Sequence, residues 1–398
     1  MKVTILGDCW SDTYWNFDFS FLNQELAIQL AKSPEVKVTF LVPEHRCDKS
    51  DKTDAVWNGV TIVEAKKQPG FDNPLDWLYF PPQGLTTDCV IGLGENCGKI
   101  AQVFKQLHRC KNIYITSDPL EEYAVLLEEE RILEKRIAGF HSNVNVGHSQ
   151  MANLAVAPGP KMSGNLSASL RRHAKDVFNL TPGVLSQFSD IKHATTEETK
   201  FRILILGGGN PGNFERQGLN TAAEAVAELK DKSYHLLFAG SAEGEHEQFA
   251  KKFSQCGVSK SQLTIRSLPE SREEFKNLFC EVDLAIMPSS EWGFGMMGLA
   301  ALSSGLPVLV HEDSGFGEAL KVVKFGTSSI VDSEDAKVWA KAIKRVRATE
   351  RKMRLQMAAS LRSNYDEKYS WKEQCGELVQ RMLTMVSGMN VFAAFYLF

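Results

Sequence analysis

Residues 288–308 decide the fold of this 398-residue chain, and they read PSSEWGFGMMGLAALSSGLPV. The apolar run Leu284–Met287 directly before them has the length and composition of a buried strand. The glycine-rich stretch leads into a predicted helix over Phe294–Ser303, and Val308–Val310 is the next predicted strand. A strand, a loop, a helix and a second strand in this order are typical of a βαβ unit in a parallel sheet.

The same alternation extends outward through the rest of the chain. Upstream of the quoted stretch, strands are predicted at Arg202–Leu206, His235–Ala239 and Leu263–Arg266, and helices at Leu219–Leu229, Glu245–Cys256 and Arg272–Phe279. In the N-terminal half, strands are predicted at Val3–Leu6, Val36–Val42, Val60–Glu64, Cys89–Gly92 and Ile113–Thr116, and helices at Asn23–Lys32 and Gly98–His108. Two series of this kind predict two parallel sheets.

The length also favours two domains, since a single hydrophobic core stops growing near about 250–300 residues. We predict a first domain over 1–187, a polar linker over 188–200, a second domain over 201–368, a terminal helix over 369–386 and an apolar tail over 387–398. Ligands of open parallel sheets bind at the carboxyl ends of the strands, so a cleft between the domains is the expected binding site. The terminal helix either packs on the second domain or crosses back to brace the first.

Composition narrows the classes of function. The net charge is −4 with both signs interspersed, and no basic stripe indicates nucleic-acid binding. The eight cysteines are scattered singly, which favours free thiols in a reducing cytosol and predicts no metal site. The chain opens on a strand-like MKVTILG and not on a signal peptide, so a cytoplasmic protein is predicted. The apolar run Val391–Phe398 is shorter than the ~20 residues that span a bilayer, and it is either a tucked tail or an end made by truncation or splicing.

A second glycine-rich motif, Gly207–Gly212, follows a predicted strand and matches the G-x-G-x-x-G spacing of dinucleotide-binding loops. Such a site also needs an acidic residue at the end of the next strand, which here ends Phe238-Ala239-Gly240. A nicotinamide-dependent dehydrogenase is therefore a disfavoured third alternative.

The stretch 288–308 resembles the signature of family 4 retaining glycosyltransferases, which reads Pro-Ser-x-x-Glu-Gly-Phe-Gly, four residues, Glu-Ala, and then Gly-x-Pro-Val. Residues 179–184, 281–285 and 369–371 resemble further segments of that family. The resemblance implies an α/β fold in the GT-B arrangement, with two Rossmann-like domains, an acceptor-side first domain and a second domain that binds a nucleotide-diphosphate sugar. A closer likeness is expected to glycosyltransferase-like modules of invertebrate multidomain proteins.

The resemblance also implies where a donor would bind. Glycines let the backbone approach a diphosphate, and a helix that begins there directs N–H groups at it. The acidic residue Glu318 matches a family glutamate beside the donor; its other role would be as a cap partner for a helix predicted over Ala319–Val323. The candidate donor-binding residues are Gly207, Gly209, Arg216, Gly293, Phe294, Gly295, Met296 and Glu318.

Several family side chains are absent in the second domain. The two family glutamates, which face the reacting sugar and the ribose, are replaced by Trp292 and Ala300. Glu291 lies one residue early and is the candidate catalytic substitute. The family arginine and lysine that contact the phosphates align with Gly208 and Gln217. Arg216 either takes over that contact or is a solvated surface arginine.

The first domain departs from the family as well. Phe17 and Asp18 stand near the place of a family Gly-Gly pair, and Ile115–Asp118 contains no counterpart of a family histidine. His141 and His148 are interpreted as surface or helix-capping residues. The aromatic cluster after the first strand is interpreted mainly as core, with sugar recognition as the alternative; it comprises Trp10, Tyr14, Trp15, Phe17, Phe19 and Phe21.

Two functional hypotheses follow. The first is a glycosyltransferase-like protein with a degenerate donor site, weakly active or inactive, that binds a sugar nucleotide, a glycan or a protein partner through the cleft. The second is an active retaining hexosyltransferase that uses a nucleotide-diphosphate sugar, with Glu291 and Arg216 replacing the missing groups. No other cofactor is expected in either.

Overall fold

The computed structural model describes residues 1–11, 17–117, 144–290 and 293–388. Seven parallel strands form the first sheet, in the order β3-β2-β1-β4-β5-β6-β7. They are β1 Lys2–Leu6, β2 Lys37–Pro43, β3 Val60–Ala65, β4 Cys89–Leu93, β5 Lys111–Ile115, β6 Leu154–Pro158 and β7 Val177–Leu180. Every residue of β4 and β6 is buried, as expected for central strands covered on both faces.

Helices pack on this first sheet. They are α1 Phe17–Ala31, α2 Lys49–Trp57, α3 Gly94–Leu107 and α4 Gly159–Leu170, and residues 144–151 are also helical. The helix α2 begins with a capping box in which Asp48 and Asp51 each accept the other's backbone N–H. No sequence pattern had indicated the unit β6-α4-β7, which supplies one edge of the sheet.

Six parallel strands form the second sheet, in the order β10-β9-β8-β11-β12-β13. They are β8 Phe201–Gly209, β9 Tyr234–Ser241, β10 Leu263–Arg266, β11 Leu284–Met287, β12 Val308–His311 and β13 Ile330–Val331. Its helices are α5 Leu219–Glu228, α6 His246–Gln255, α7 Arg272–Glu281, α8 Met296–Ser303, α9 Gly315–Lys321, α10 Ala336–Arg347, α11 Arg351–Lys368 and α12 Trp371–Ser387. The predicted α/β fold with two parallel sheets is confirmed.

The glycines after the first strand of this sheet are a correction to the sequence analysis. Gly207–Gly209 do not form a loop but continue β8, and Gly209 pairs with Ser241 after an irregularity that begins at Leu206. The physical reason is close packing, because a Cβ built on Gly240 would lie 1.8 Å from the Gly207 carbonyl oxygen. Two strands that approach this closely stay paired only without side chains at the contact.

Contacts of the last helix run back to the first sheet. The Trp371 indole donates to the Val184 carbonyl at 3.1 Å. The Gln374 side chain exchanges hydrogen bonds of 2.8 and 2.9 Å with the backbone of Thr181, which follows β7. The helix α12 therefore contacts the end of the first domain. This agrees with the alternative in which the terminal helix crosses back to the first domain.

An aromatic cluster joins the two halves close to the same helix. Phe21 of α1 contacts Phe188, which follows the first sheet, and Phe275 of α7, with ring centroids 5.4 Å apart in both pairs. Phe188 also packs edge-on against Phe279 at 5.5 Å. Phe188 falls at the start of the segment predicted as a polar linker, yet it is fully buried. Edge-to-face aromatic pairs contribute about 0.5–1.5 kcal/mol each beyond their buried area.

A buried carboxylate lies at this junction. Glu25 of α1 is 1% exposed, and its carboxylate accepts hydrogen bonds of 2.9 Å from both the backbone N–H and the hydroxyl of Ser186. Its other oxygen accepts from the Gln29 amide at 2.6 Å. Burial raises the pKa of Glu25 above its ordinary value, against the opposing effects of these hydrogen bonds and of Lys32.

We expect the stability of the wild type relative to Glu25→Gln to depend on pH, because only the wild type carries the cost of a buried charge at pH 8. Folded Glu25 takes up its proton at a higher pH than the unfolded chain, whose glutamate titrates near 4.5. The wild type therefore gains stability relative to the variant as the pH falls from 8 towards 4.5. Thermal unfolding of both proteins across this range measures the difference, and a difference independent of pH would contradict the assignment.

Candidate functional site

Three loops meet at the carboxyl edge of the second sheet, because they follow the neighbouring strands β8, β11 and β12. The Ser289 hydroxyl donates to the Arg216 carbonyl at 2.5 Å, and a Cβ on Gly218 would lie 2.8 Å from the Ser289 nitrogen. A Cβ on Gly315 would lie 2.4 Å from the Gly293 carbonyl oxygen. The loops therefore touch through their backbones, at the edge where parallel sheets bind ligands.

The middle loop, which follows β11, contains the residues whose backbone is predicted to contact a diphosphate. Gly293, Phe294, Gly295 and Met296 are all buried. Gly295 is the N-cap of α8, with a φ of 90°, and no side chain caps the helix. A residue with a Cβ is strained at this φ. The first N–H groups of a helix that lacks a capping side chain are suited to an anion.

Two neighbouring residues in that loop, Glu291 and Trp292, lie outside the described residues. The catalytic role of Glu291 therefore stays a prediction. Asp118 and His141 also lie outside the described residues, so the interpretation of His141 as a surface or helix-capping residue stays a prediction.

Gln217 occupies the place that the resemblance gives to a phosphate-binding lysine, and it is directed inward. Its side chain is buried, and its amide nitrogen donates to the Gly208 carbonyl at 2.5 Å. A Cβ on Gly207 would lie 2.5 Å from the amide oxygen of Gln217. Gln217 thus packs along the glycine end of β8 and stabilises it, and it offers no positive charge to a ligand.

Arg216 lies beside the middle loop and is half-buried, and its contact with phosphates stays a prediction. Its carbonyl is held by Ser289. On α8, Ala300 stands where the resemblance places a ribose-binding glutamate; it is fully buried and supplies no carboxylate.

The third loop leads into α9, where the sequence analysis placed the helix too late. The helix begins at Gly315, because the Ser314 hydroxyl accepts the Gly317 N–H at 2.9 Å and donates to the His311 carbonyl at 2.8 Å. Glu318 is therefore inside the first turn and half-buried, and it is not a residue that precedes the helix. The bounds 319–323 predicted for this helix were wrong, whereas Glu318 does lie at its N-terminal end, where a carboxylate stabilises a helix. Its place beside the donor stays a prediction.

The first domain approaches these loops through the turn between β6 and α4, which the sequence analysis missed. Gly159 has a φ of 80°, and a Cβ there would lie 2.6 Å from the ring of Phe294. The Lys161 ammonium donates to the Ser290 carbonyl at 3.1 Å and to the Asp313 carbonyl at 2.5 Å. The helix α4 also packs against α9. The carboxyl edges of the two sheets thus face each other at the glycine motif.

A buried polar cluster lies at the end of β5 in the first domain. The Tyr114 hydroxyl is bonded to the Asn145 side chain, whose amide nitrogen donates to the Ser117 carbonyl at 3.1 Å. His148 is 9% exposed and its ring lies 5.3 Å from that of Tyr114. Burial lowers the pKa of His148, and the ammonium of Lys99 lowers it further.

The interpretation of His148 as a surface or cap residue was therefore wrong. The room for its ring comes from Gly98, where a Cβ would lie 2.5 Å from the Tyr114 ring and 3.7 Å from that of His148.

The aromatic cluster after the first strand is core where the structure describes it. Trp10 is 1% exposed, packs edge-on against Phe40 at 5.2 Å and donates its indole N–H to the Asp54 carboxylate at 2.8 Å. Phe21 is part of the aromatic junction described above. The residues or side chains of the others lie outside the described part of the chain, namely Tyr14, Trp15, Phe17, Asp18 and Phe19.

Metal-binding side-chain clusters and membrane-spanning helices are both absent from the described residues. No group of three or more histidine, cysteine, aspartate or glutamate side chains among them is arranged to hold a metal ion. No helix within the described ranges is long and apolar enough to cross a membrane.

The two parallel sheets and their facing carboxyl edges form the GT-B fold. Sucrose-phosphate synthase from Thermosynechococcus elongatus superposes with a TM-score of 0.68 at 14% identity, over 98% of this chain and 100% of that one. The catalytic domain of starch synthase IV from Arabidopsis thaliana, bound to ADP and acarbose, gives 0.69 at 10% identity, over 97% and 99%. Anabaena HepE in complex with UDP and glucose gives 0.66 at 12% identity, over 96% and 100%. At these identities the likeness shows the fold alone.

A family model described as family 4 glycosyltransferase in conflict systems matches residues 18–378, and the chain belongs to this family. A D-inositol 3-phosphate glycosyltransferase from Corynebacterium urealyticum is 25% identical over 214 residues, which cover 52% of this chain and 48% of that protein. The same enzyme from Corynebacterium jeikeium is 28% identical over 178 residues, covering 42% and 40%. The chain thus spans half or less of these relatives' length. Both are bacterial, so the expected likeness to invertebrate multidomain proteins gains no support.

We expect Gly240→Ala to destabilise the protein by at least about 2 kcal/mol, because a steric clash with a backbone atom cannot be relieved by a side-chain movement. The new methyl would meet the Gly207 carbonyl, which belongs to the paired glycine end of β8. Chemical denaturation measures the loss. Gly376→Ala is the control, since a Cβ there meets nothing within 4 Å; equal stability of the two variants would contradict the close packing.

Proposed function

We propose that this protein binds a nucleotide-diphosphate sugar weakly in its interdomain cleft and transfers the sugar slowly or not at all. In this proposal it acts mainly as a ligand-binding or partner-binding module. The observation that carries the proposal is the inward direction of Gln217, whose amide is bonded to the Gly208 carbonyl and not offered to the cleft.

Three side chains that the resemblance expects in a donor site, each with a different chemical role, are missing. Gly208 and Gln217 supply no charge to phosphates, and Ala300 is buried where a ribose-binding carboxylate is expected. A hydrogen bond that involves a charged group contributes roughly 1.5–3 kcal/mol. Three such losses sum to about 4.5–9 kcal/mol as an upper bound, since contributions of neighbouring groups are not additive. At a factor of ten for each ~1.4 kcal/mol, a micromolar donor site becomes millimolar or weaker.

The backbone half supports binding of an anion in the same place. Gly293–Met296 form a buried, glycine-containing entry into α8, and this helix lacks a capping side chain. Partial positive charge at a helix N-terminus favours phosphate groups. Anabaena HepE, which shares the fold, has been crystallised with UDP and glucose, and this makes uridine diphosphate sugars the first ligands to test.

The proposal predicts weak binding of the nucleotide part alone. In calorimetric titrations of the folded protein with UDP, UDP-glucose and GDP-mannose, we expect dissociation constants of about 1 mM or weaker, as the loss of charged contacts requires. We also expect UDP and UDP-glucose to bind alike, because the contacts that remain are to the diphosphate. Micromolar binding of an intact sugar nucleotide would contradict the proposal.

An active retaining hexosyltransferase is the second candidate, and the position of Arg216 favours it. Arg216 is half-buried next to Ser289, on the loop that precedes α8. In this candidate Arg216 contacts the phosphates and Glu291 provides the carboxylate that faces the sugar. The family to which the chain belongs and the names of its relatives support this possibility.

The two candidates differ in one assay, the release of UDP from UDP-glucose with and without simple sugar and polyol acceptors. The second candidate predicts release by the wild type, and loss of at least about a hundredfold in Glu291→Ala and Arg216→Ala. Arg172→Ala is the matched control, since Arg172 is exposed at the far end of α4. Our proposal predicts that the wild type releases UDP slowly or not at all, and that neither Glu291→Ala nor Arg216→Ala lowers this rate by a hundredfold.

A further inference from the structure

Lys161 is a first-domain residue whose hydrogen bonds lie entirely on the second domain. Its ammonium donates to the Ser290 carbonyl at 3.1 Å, in the loop after β11, and to the Asp313 carbonyl at 2.5 Å, in the loop after β12. One side chain therefore fixes two of the three loops that form the candidate site. The bonds reach across 129 and 152 residues of sequence, so they depend on the relative position of the domains.

A second contact at the same turn also joins the first domain to the loop before α8. Gly159, two residues before Lys161, lies against the ring of Phe294, and any Cβ there would be 2.6 Å from a ring carbon. Phe294 is 4% exposed and packs in turn against Phe316 of α9, with ring centroids 6.0 Å apart. The turn between β6 and α4 thus packs closely against the middle loop, and the hydrogen bonds of the Lys161 ammonium hold it there.

We propose that Lys161 is an interdomain latch, a positioning residue that holds the loops before α8 and α9 in the closed, ligand-ready arrangement. Both acceptors are main-chain oxygens, so the hydrogen bonds fix the backbone of each loop directly. A ligand that binds between the domains favours the closed state, and its apparent affinity falls with the fraction of molecules that are closed. The part of the inference that concerns nucleotide affinity rests on the proposed function, whereas the latch itself does not.

The test compares Lys161→Met, which keeps the length of the side chain without its charge, with Lys161→Arg, which keeps a cationic donor. Hydrogen exchange of the protein without ligand is measured over peptides from 285–296 and 310–318. We expect exchange in both to quicken by about tenfold in Lys161→Met, the equivalent of ~1.4 kcal/mol. Lys161→Arg should restore most of the protection. Arg172→Met, at an exposed position beyond the same helix, should match the wild type.

Gly159→Ala provides a second, independent route to the same state, because its methyl would collide with the Phe294 ring at a φ of 80°. We expect the two loop peptides to lose protection as they do in Lys161→Met. Gly164→Ala is the matched control in the same helix, since a Cβ there meets nothing within 4 Å. Unchanged exchange of the two loops in both Lys161→Met and Gly159→Ala would overturn the latch.

Titration with UDP-glucose separates this inference from the proposed function. If the nucleotide binds, Lys161→Met should weaken it by about tenfold without a change in global unfolding temperature. Unchanged affinity would overturn the positioning role even if the nucleotide binds. If the wild type binds no nucleotide at all, the proposed function fails, and the exchange experiment alone decides whether the latch is correct.

Discussion

The close approach of backbone atoms at glycines is the constraint on which the site depends. A methyl group at Gly240 would overlap the Gly207 carbonyl, and one at Gly315 would overlap the Gly293 carbonyl. At the domain boundary, a methyl at Gly159 would overlap the Phe294 ring. Protein interiors are packed to crystal-like density and transmit such overlaps instead of absorbing them. The pairing of β8 with β9, the contact between the loops and the contact between the domains therefore all require glycine at the closest point.

Under the proposed function, this constraint explains how the site keeps its shape without the charged side chains that the resemblance places there. Gln217 illustrates the point. In the place of a phosphate-binding lysine it has a packing role, since its amide bonds the Gly208 carbonyl and fills the space beside Gly207. A buried amide with a hydrogen-bond partner stabilises the glycine end of β8, whereas a lysine directed at the cleft would not. In the proposed donor site, the backbone geometry is thus separable from the side-chain chemistry.

Much of the fold could be predicted from the sequence, because its central strands are short apolar runs buried on both faces. Leu263–Arg266 and Leu284–Met287 were predicted with the bounds that the structure gives. The unit β6-α4-β7 was missed although Pro158-Gly159-Pro160 marks the junction of β6 and α4, because the short apolar run of β6 has no periodicity that distinguishes a strand from a helix. The glycines of β8 read as a loop, because their pairing with β9 is a tertiary contact that local propensity does not record.

The site was predictable only in part, for related reasons. The glycine motif before α8 was identified by its residue types, and the start of that helix agrees with the structure to within two residues. The burial of His148 depends on Gly98 and Tyr114, which are far from it in sequence. Lys161 gave no signal at all, because a lysine that bonds two distant carbonyls has the composition of an ordinary surface residue. Long-range hydrogen bonds to the main chain leave no trace in a sequence pattern.

The central claim is that the site keeps its backbone half and lacks its charged half. Gly208→Arg tests it most directly, since it returns a cation to a half-exposed position at the end of β8. Gly212→Arg, at an exposed position in the adjacent loop, adds the same charge away from the expected diphosphate. In calorimetric titration with UDP-glucose, the account predicts that Gly208→Arg binds at least about tenfold more tightly than the wild type, and that Gly212→Arg does not. Equal affinity of all three proteins, or micromolar binding by the wild type, would contradict it.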